Sequence, residues 1–224
     1  MNNRELQEIV ADAVVVLNSL LESPRNATSL QTSQLSFLCG QLLSNASAEL
    51  SAGGPQFWID LVACFEAARP LATFVTMDTV RLAATALTPI GLPAIALKNF
   101  SIRMALAEQA RILAATTFVS RQDIDKYFSQ INASFGAAET VAANNLDNVA
   151  YTALLNIHAA VSNDLANRSR PLPRIVTYSF SQPMPSLWLS QRIYYDPTRA
   201  DELIAENKPI HPLFMPMTGV ALSS

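Results

Sequence analysis

Apolar residues recur three and four positions apart at Leu6, Ile9, Val10, Ala13, Leu17, Leu20 and Leu21, a spacing that gathers them on one face of an α-helix. Pro24 is expected to end that helix, because it lacks the backbone N–H the next turn would use. A second run, Leu35, Leu38, Leu42, Leu43 and Leu50, closes at Gly53-Gly54-Pro55. "FWIDLVACFEAAR" predicts a third helix, and Pro70 separates it from a fourth running through Leu82. Residues 82–97 are uncharged, with Pro89 and Pro93 bracketing Gly91. That stretch is shorter than the roughly 20 apolar residues of a membrane span, so it predicts a helix end, a turn and a buried connector.

Past Asn99, a further helix is lined by Ile102, Ala105, Leu106, Ile112 and Leu113. Ser120 followed three residues later by Asp123 has the form of a helix cap, which starts a new helix near Arg121. That helix is expected to run to Phe135-Gly136, and a last long one to about Arg168. Exposed positions of the latter are Ala, Asn and Asp, small side chains that favour close packing against other helices, of this chain or of another subunit. The texture changes at "RSRPLPR", where two prolines favour an extended linker. "RIVTYSF" then reads as a strand, "PSLWLSQRIYY" as a helix opened by Pro185, "DPTRADELIAEN" as a second one capped by Asp196, and "MTGVALS" as a strand. Trp188, Tyr194, Leu187 and Leu203 are expected to complete a small core. The expected fold class is mainly α: a multi-helix domain over 1–168, a Pro-rich linker over 169–174 and a small α+β module over 175–224.

Half of the 224 residues are apolar and only 15% are charged, against about a quarter charged in an average domain. Apolar surface reserved for partners is the expectation. The net charge of −3 gives no general field for nucleic acid, so any DNA contact would be local. Cys39 and Cys64, without a CxxC pair or nearby His, read as buried thiols suited to a reducing compartment. Acidic residues flank the first apolar run on both sides, so it does not read as a signal peptide, and the chain is expected to start life in the cytosol. His158 and His211 are expected to be structural, His211 by fixing the turn before Pro212. Carboxylate pairs at Asp123/Asp125 and Asp201/Glu202 fit the first turns of helices. No phosphate-cradling glycine loop or lysine nucleophile motif occurs, and neither a catalytic residue, a cofactor nor a metal is expected. Arg168, Arg170 and Arg174 form a basic cluster, a candidate dock for an acidic partner or a phosphate.

The strand–helix–helix–strand order, with Tyr178 in the first strand, Leu187-Trp188 in the first helix and Ile204-Ala205-Glu206-Asn207 ending the second, resembles a LysM module. Sugar-binding LysM modules usually open their first helix with Gly-Asp-Thr; here the slot holds Gln182-Pro183-Met184-Pro185. A closer likeness takes in Leu172-Pro173-Arg174, Arg199-Ala200-Asp201-Glu202 and His211-Pro212, which together resemble the C-terminal region of the DNA circularisation protein family of Mu-like contractile-tailed phages. That family's N-terminal domain is not matched, which suggests a fragment or a shortened relative. The resemblance implies a structural tail or baseplate component, assembled in the host cytoplasm into the virion, with other tail proteins or further copies of itself as partners. A glycan-binding module and a DNA-end-binding factor are the alternatives; the missing Gly-Asp slot and the net charge argue against them. Docking determinants are expected in the loops 181–185 and 209–216, at Pro183, Met184, Phe214 and Met215, with closure of the module's core as the other reading of Phe214.

Overall fold

The computed structural model describes residues 2–22, 28–53 and 55–223; Pro24 and Gly54 lie outside the described residues. The chain divides into two compact units. One comprises Met1–Thr116 with Asn132–Val161, the other Thr117–Ile131 with Ser162–Ser224.

The first unit is helical. Helix α1 (Asn3–Glu22) touches α2 (Ser29–Ser51), α3 (Gln56–Ala68), α4 (Phe74–Ala86) and α5 (Leu92–Ala115). It can do so because Ile9, Ala13, Val16, Leu17 and Leu20 are all fully buried, an apolar stripe wide enough to face several neighbours. Phe57 and Phe65 of α3, Met77 of α4 and Leu97 of α5 join the same core. After α2, Gly53 adopts φ 66°, a left-handed conformation that favours glycine.

The connector from α4 to α5 departs from the expected burial. Leu87 is tucked in, but Ile90 is 80% exposed. Polar contacts hold the segment instead of apolar ones. The Glu8 carboxylate accepts the N–H of Ile90 at 2.6 Å and of Gly91 at 3.0 Å, placing negative charge at the N-terminus of α5. A Cβ on Gly91 would stand 2.8 Å from Glu8 Oε2, so a side chain there would push the carboxylate away.

Helix α6 (Arg121–Asn144) runs straight through Gly136, and the expected break at Phe135-Gly136 is corrected to residues 145–147, ahead of α7 (Asn148–Ser169). An interior glycine costs only about 1 kcal/mol against alanine, too little to end a helix whose buried stripe continues from Phe135 to Ala142. The true end is a Schellman turn. Leu146 sits at φ 55°, its N–H donates to Ala143 O, and the Asp147 N–H donates to Ala142 O. Asp147 then starts α7 by accepting the Ala150 N–H at 3.1 Å, and it pairs with Arg103 at 2.8 Å.

In the second unit, β1 (Ile175–Ser179) pairs antiparallel with β2 (Thr218–Leu222), Thr177 opposite Val220. Between them lie α8 (Ser186–Tyr194), a single 3₁₀ turn over Pro197–Arg199 and α9 (Ala200–Asn207), the expected strand–helix–helix–strand order. A two-stranded sheet is marginal by itself, and here a side-chain amide closes each edge. Asn207 donates to Val220 O at 2.7 Å and accepts the Val220 N–H at 2.8 Å. Gln122, 53 positions upstream in α6, does the same to Ile175, accepting at 2.8 Å and donating at 3.1 Å. The Arg121 N–H donates to Pro173 O as well. The start of α6 therefore belongs to the same unit as the module, although the sequence places it in the helical domain.

Gln122→Ala strips Ile175 of both bonds. It is expected to cost about 1–3 kcal/mol and to speed amide exchange of β1, read by hydrogen-exchange mass spectrometry. Gly219→Ala is expected to disrupt the module, because a Cβ there would overlap Asn207 Oδ1 and the Tyr178 hydroxyl; limited proteolysis reports it. In the first unit, the Ala150 N–H and Arg103 hold the Asp147 carboxyl below its ordinary value of 3.8. A depressed folded-state value means the contribution to stability is present above that pH and is lost as pH falls through the folded value. Asp147→Asn is expected to flatten this acid limb of the thermal-unfolding profile.

Candidate functional site

The module's core is small and selects which side chains of its short helices turn inward. Along α8, Ser186, Leu189 and Ser190 are buried, positions that recur on one face at helical spacing. With Tyr178, Leu203, Met215 and Ala221, Leu189 forms the packed cluster. Trp188 and Leu187 fall on the other side. Trp188 is 46% exposed and Leu187 more so, a correction to the expectation that they complete the core. The indole is not free-standing: its ring lies edge-on to Phe180 at 6.3 Å, and the Arg192 guanidinium sits over it at 5.7 Å.

Met215, rather than Trp188, belongs to the buried cluster. It is fully buried, so it is corrected from docking candidate to core residue. Its N–H donates to Met184 O at 3.0 Å, and the Ser186 N–H donates to Pro212 O at 2.8 Å. These bonds fasten the loop 181–185 directly to the turn 209–216, so the two segments form one surface. His211 fixes the turn as expected, its Nδ1 accepting the Leu213 N–H at 3.1 Å.

Phe214 lies outside the core at 69% exposure, with Leu213, Ile210 and Met217 also exposed around the turn. Leu187, next to the Ser186 that bonds Pro212, is exposed as well. Pro183 is exposed and Met184 half-buried. Of the four loop residues expected to dock a partner, three thus reach the surface.

The basic candidates are divided. Arg168 pairs with Asp164 at 3.1 Å and stacks on Phe118 at 4.8 Å. Arg170 is exposed and lends its carbonyl to Arg121. Arg174 is exposed immediately before β1, where it lines a concave patch with Arg121 and Arg199. Sequence proximity had grouped the first three; the fold regroups Arg174 with two residues distant in the chain.

Several buried or half-buried titratable groups are engaged within the fold. His158 bonds Glu139 and Asn132 through its two ring nitrogens, each at 2.8 Å, and stacks on Phe135. Cys39 and Cys64 are buried neighbours, the contact lowering the Cys39 thiol while raising that of Cys64. Glu108 is fully buried, and loss of solvent pushes its carboxyl up against the opposing pull of Arg111 at 2.6 Å and Arg69 at 3.5 Å. Burial likewise raises the Tyr178 phenol, whose hydroxyl has no hydrogen-bond partner among the described residues. Among the described residues no cluster of three or more His, Cys, Asp or Glu could hold a metal, and no helix is long and apolar enough to cross a membrane. No family model and no curated protein matches the chain.

Because Trp188 lies outside the module's buried cluster and is 46% exposed, Trp188→Ala is expected to leave the module folded, with a loss well below the roughly 3–5 kcal/mol of a core Trp. Leu203→Ala removes a fully buried side chain and is expected to cost about 2–5 kcal/mol. Urea unfolding of both variants, followed by protease resistance of residues 175–222, distinguishes them.

Proposed function

We propose that this chain is a structural, non-enzymatic component of a contractile phage tail, in the tube–baseplate region, working through protein–protein contacts. The observation that carries the reading is the apolar margin formed where the loop 181–185 is hydrogen-bonded to the turn 209–216. Leu187, Leu213, Phe214 and Met217 stand exposed there. No Asp, Glu, Lys or Arg occurs in residues 175–191 or 209–223. Absence of charge over such a surface matches the centre of a protein interface, where charged residues are depleted and aromatic residues and Met enriched. Phe214 is its most prominent aromatic side chain, and an anchor of this kind carries about 2 kcal/mol or more of docking energy. The low overall charge and the small-residue helices of the first unit support assembly into a multimer. The tail context itself comes from the likeness of the C-terminal 55 or so residues to the circularisation family.

A glycan-binding reading draws support from a different surface. Trp188 and Tyr195, both exposed, flank Gln191 and Arg192 in an open depression, aromatic faces beside planar hydrogen-bonding groups. Docking is preferred because Gln182-Pro183-Met184-Pro185 stands where sugar-binding LysM modules usually carry Gly-Asp-Thr.

Phe214→Ser is expected to stay folded by circular dichroism while giving tailless or incomplete particles. Normal assembly and infectivity with this variant would sink the docking proposal. Wild-type protein retained on chitin or muropeptides, and released by Trp188→Ala, would favour the glycan reading. The purified chain is also expected to self-associate by light scattering; a well-behaved monomer at micromolar concentration, unchanged by added tail proteins, counts against the assembly role.

A further inference from the structure

Three arginines from separate parts of the chain line one concave patch of the second unit: Arg121 at the start of α6, Arg174 before β1 and Arg199 in the 3₁₀ turn. Residues 171–173 and Ser223 complete its lining. Arg199 is already occupied, bonded to Glu202 at 3.1 and 2.6 Å and stacked on Tyr194 at 3.8 Å. Arg121 is not neutralised. Its Nη2 donates to Arg170 O at 3.1 Å, its Nε is buried without an acceptor, and neither it nor Arg174 forms an ion pair among the described residues. Asp123 and Asp196 accept from Ser120 and Thr198 and keep their charge, but neither forms an ion pair with Arg121 or Arg174 among the described residues.

We infer that this patch binds a carboxylate on an acidic segment of a protein partner. The inference deepens the docking reading by naming the partner's chemistry, and it rests on that reading in taking the partner to be a protein. Two guanidinium groups without an ion-pair partner match a planar carboxylate, which arginine takes in a bidentate fork. They do not match a continuous strand of phosphates, which a chain of net charge −3 would repel beyond the patch. Leu172 and its flanking prolines supply an apolar wall for the methylenes of a Glu or Asp side chain. The site is also ordered before any ligand arrives. The Arg121 N–H donates to Pro173 O at 2.9 Å, the Arg174 N–H to Ser223 Oγ at 2.8 Å, and the Ser223 N–H to Arg174 O at 2.7 Å. Binding therefore loses little conformational entropy from the loop.

The test is fluorescence anisotropy of a short labelled peptide of alternating Asp and Glu, titrated with the full chain at low salt. Saturable binding is expected, weakened about tenfold by Arg174→Gln, the loss of one charge-assisted pair. Arg4→Gln removes the same charge from exposed α1 surface and is expected to leave binding unchanged. Arg174→Lys keeps the charge and is expected to bind better than Arg174→Gln; thermal unfolding of each variant separates loss of the ion pair from loss of the fold. The inference is overturned by an absence of saturation, by equal weakening in Arg4→Gln, or by tighter binding of a labelled single-stranded oligonucleotide of equal charge. Peptide binding is read without particle assembly. Its failure leaves the Phe214 surface standing, and failure of that surface leaves the peptide result standing.

Discussion

The second unit depends on two side-chain amides. A sheet of two strands has only edges, and each edge carries backbone groups that water or another strand would otherwise satisfy. Asn207 supplies a donor and an acceptor to Val220, while Gln122 supplies the same pair to Ile175. Each primary amide presents one C=O and one NH₂ side by side, the complement of a backbone N–H and C=O, so it stands in for one residue of a missing strand. Asn207 also donates to Leu203 O at 2.9 Å, fastening the end of α9 to β2. Gly219 follows from this arrangement, since Asn207 and Tyr178 fill the space where its side chain would be.

The exposed apolar surface is a consequence of the same small scaffold. Helices of nine and eight residues offer the interior only a few positions each. Leu189 and Leu203 take them, and Met215, flexible enough to fill an irregular gap, closes the remainder. Trp188 and Phe214 are then left outside. In a free-standing monomer this would be an unfavourable use of large apolar side chains, and it is the reason a covering partner is proposed at the loops.

Much of the architecture was legible in the sequence because it is written in local patterns. Apolar spacing marked the helices of the first unit, the Ser120/Asp123 and Asp196 caps marked starts, and alternation with β-branched residues marked the two strands. Errors arose where one residue was read without its partners. Gly136 resembled a breaker, while the polar run Asn144-Asn145, with Asp147-Asn148 ahead of α7, was the better signal. In α8, composition favoured Trp188 as core, but the helical phase set by Ser186, Leu189 and Ser190 decides otherwise, and serines facing inward are hard to anticipate. At the site, the loops were identifiable by their prolines and lack of charge. The grouping of Arg121, Arg174 and Arg199 was not, because it depends on contacts between segments far apart in the chain.

Gln122 changes how the module should be understood. The LysM-like resemblance begins at Tyr178, and a chain cut at the Pro-rich segment would contain every residue that carries it. Such a piece would leave Ile175 with unpaired backbone groups and would lose the Arg121 bond that fixes Pro173. The loops that form the apolar margin, and the wall of the arginine patch, are both built on a sheet steadied from α6. A binding surface assembled from residues 175–223 thus takes its geometry partly from residues 120–122. Physical independence of the module does not follow from its sequence signature, and its surface chemistry belongs to the unit that includes the start of α6.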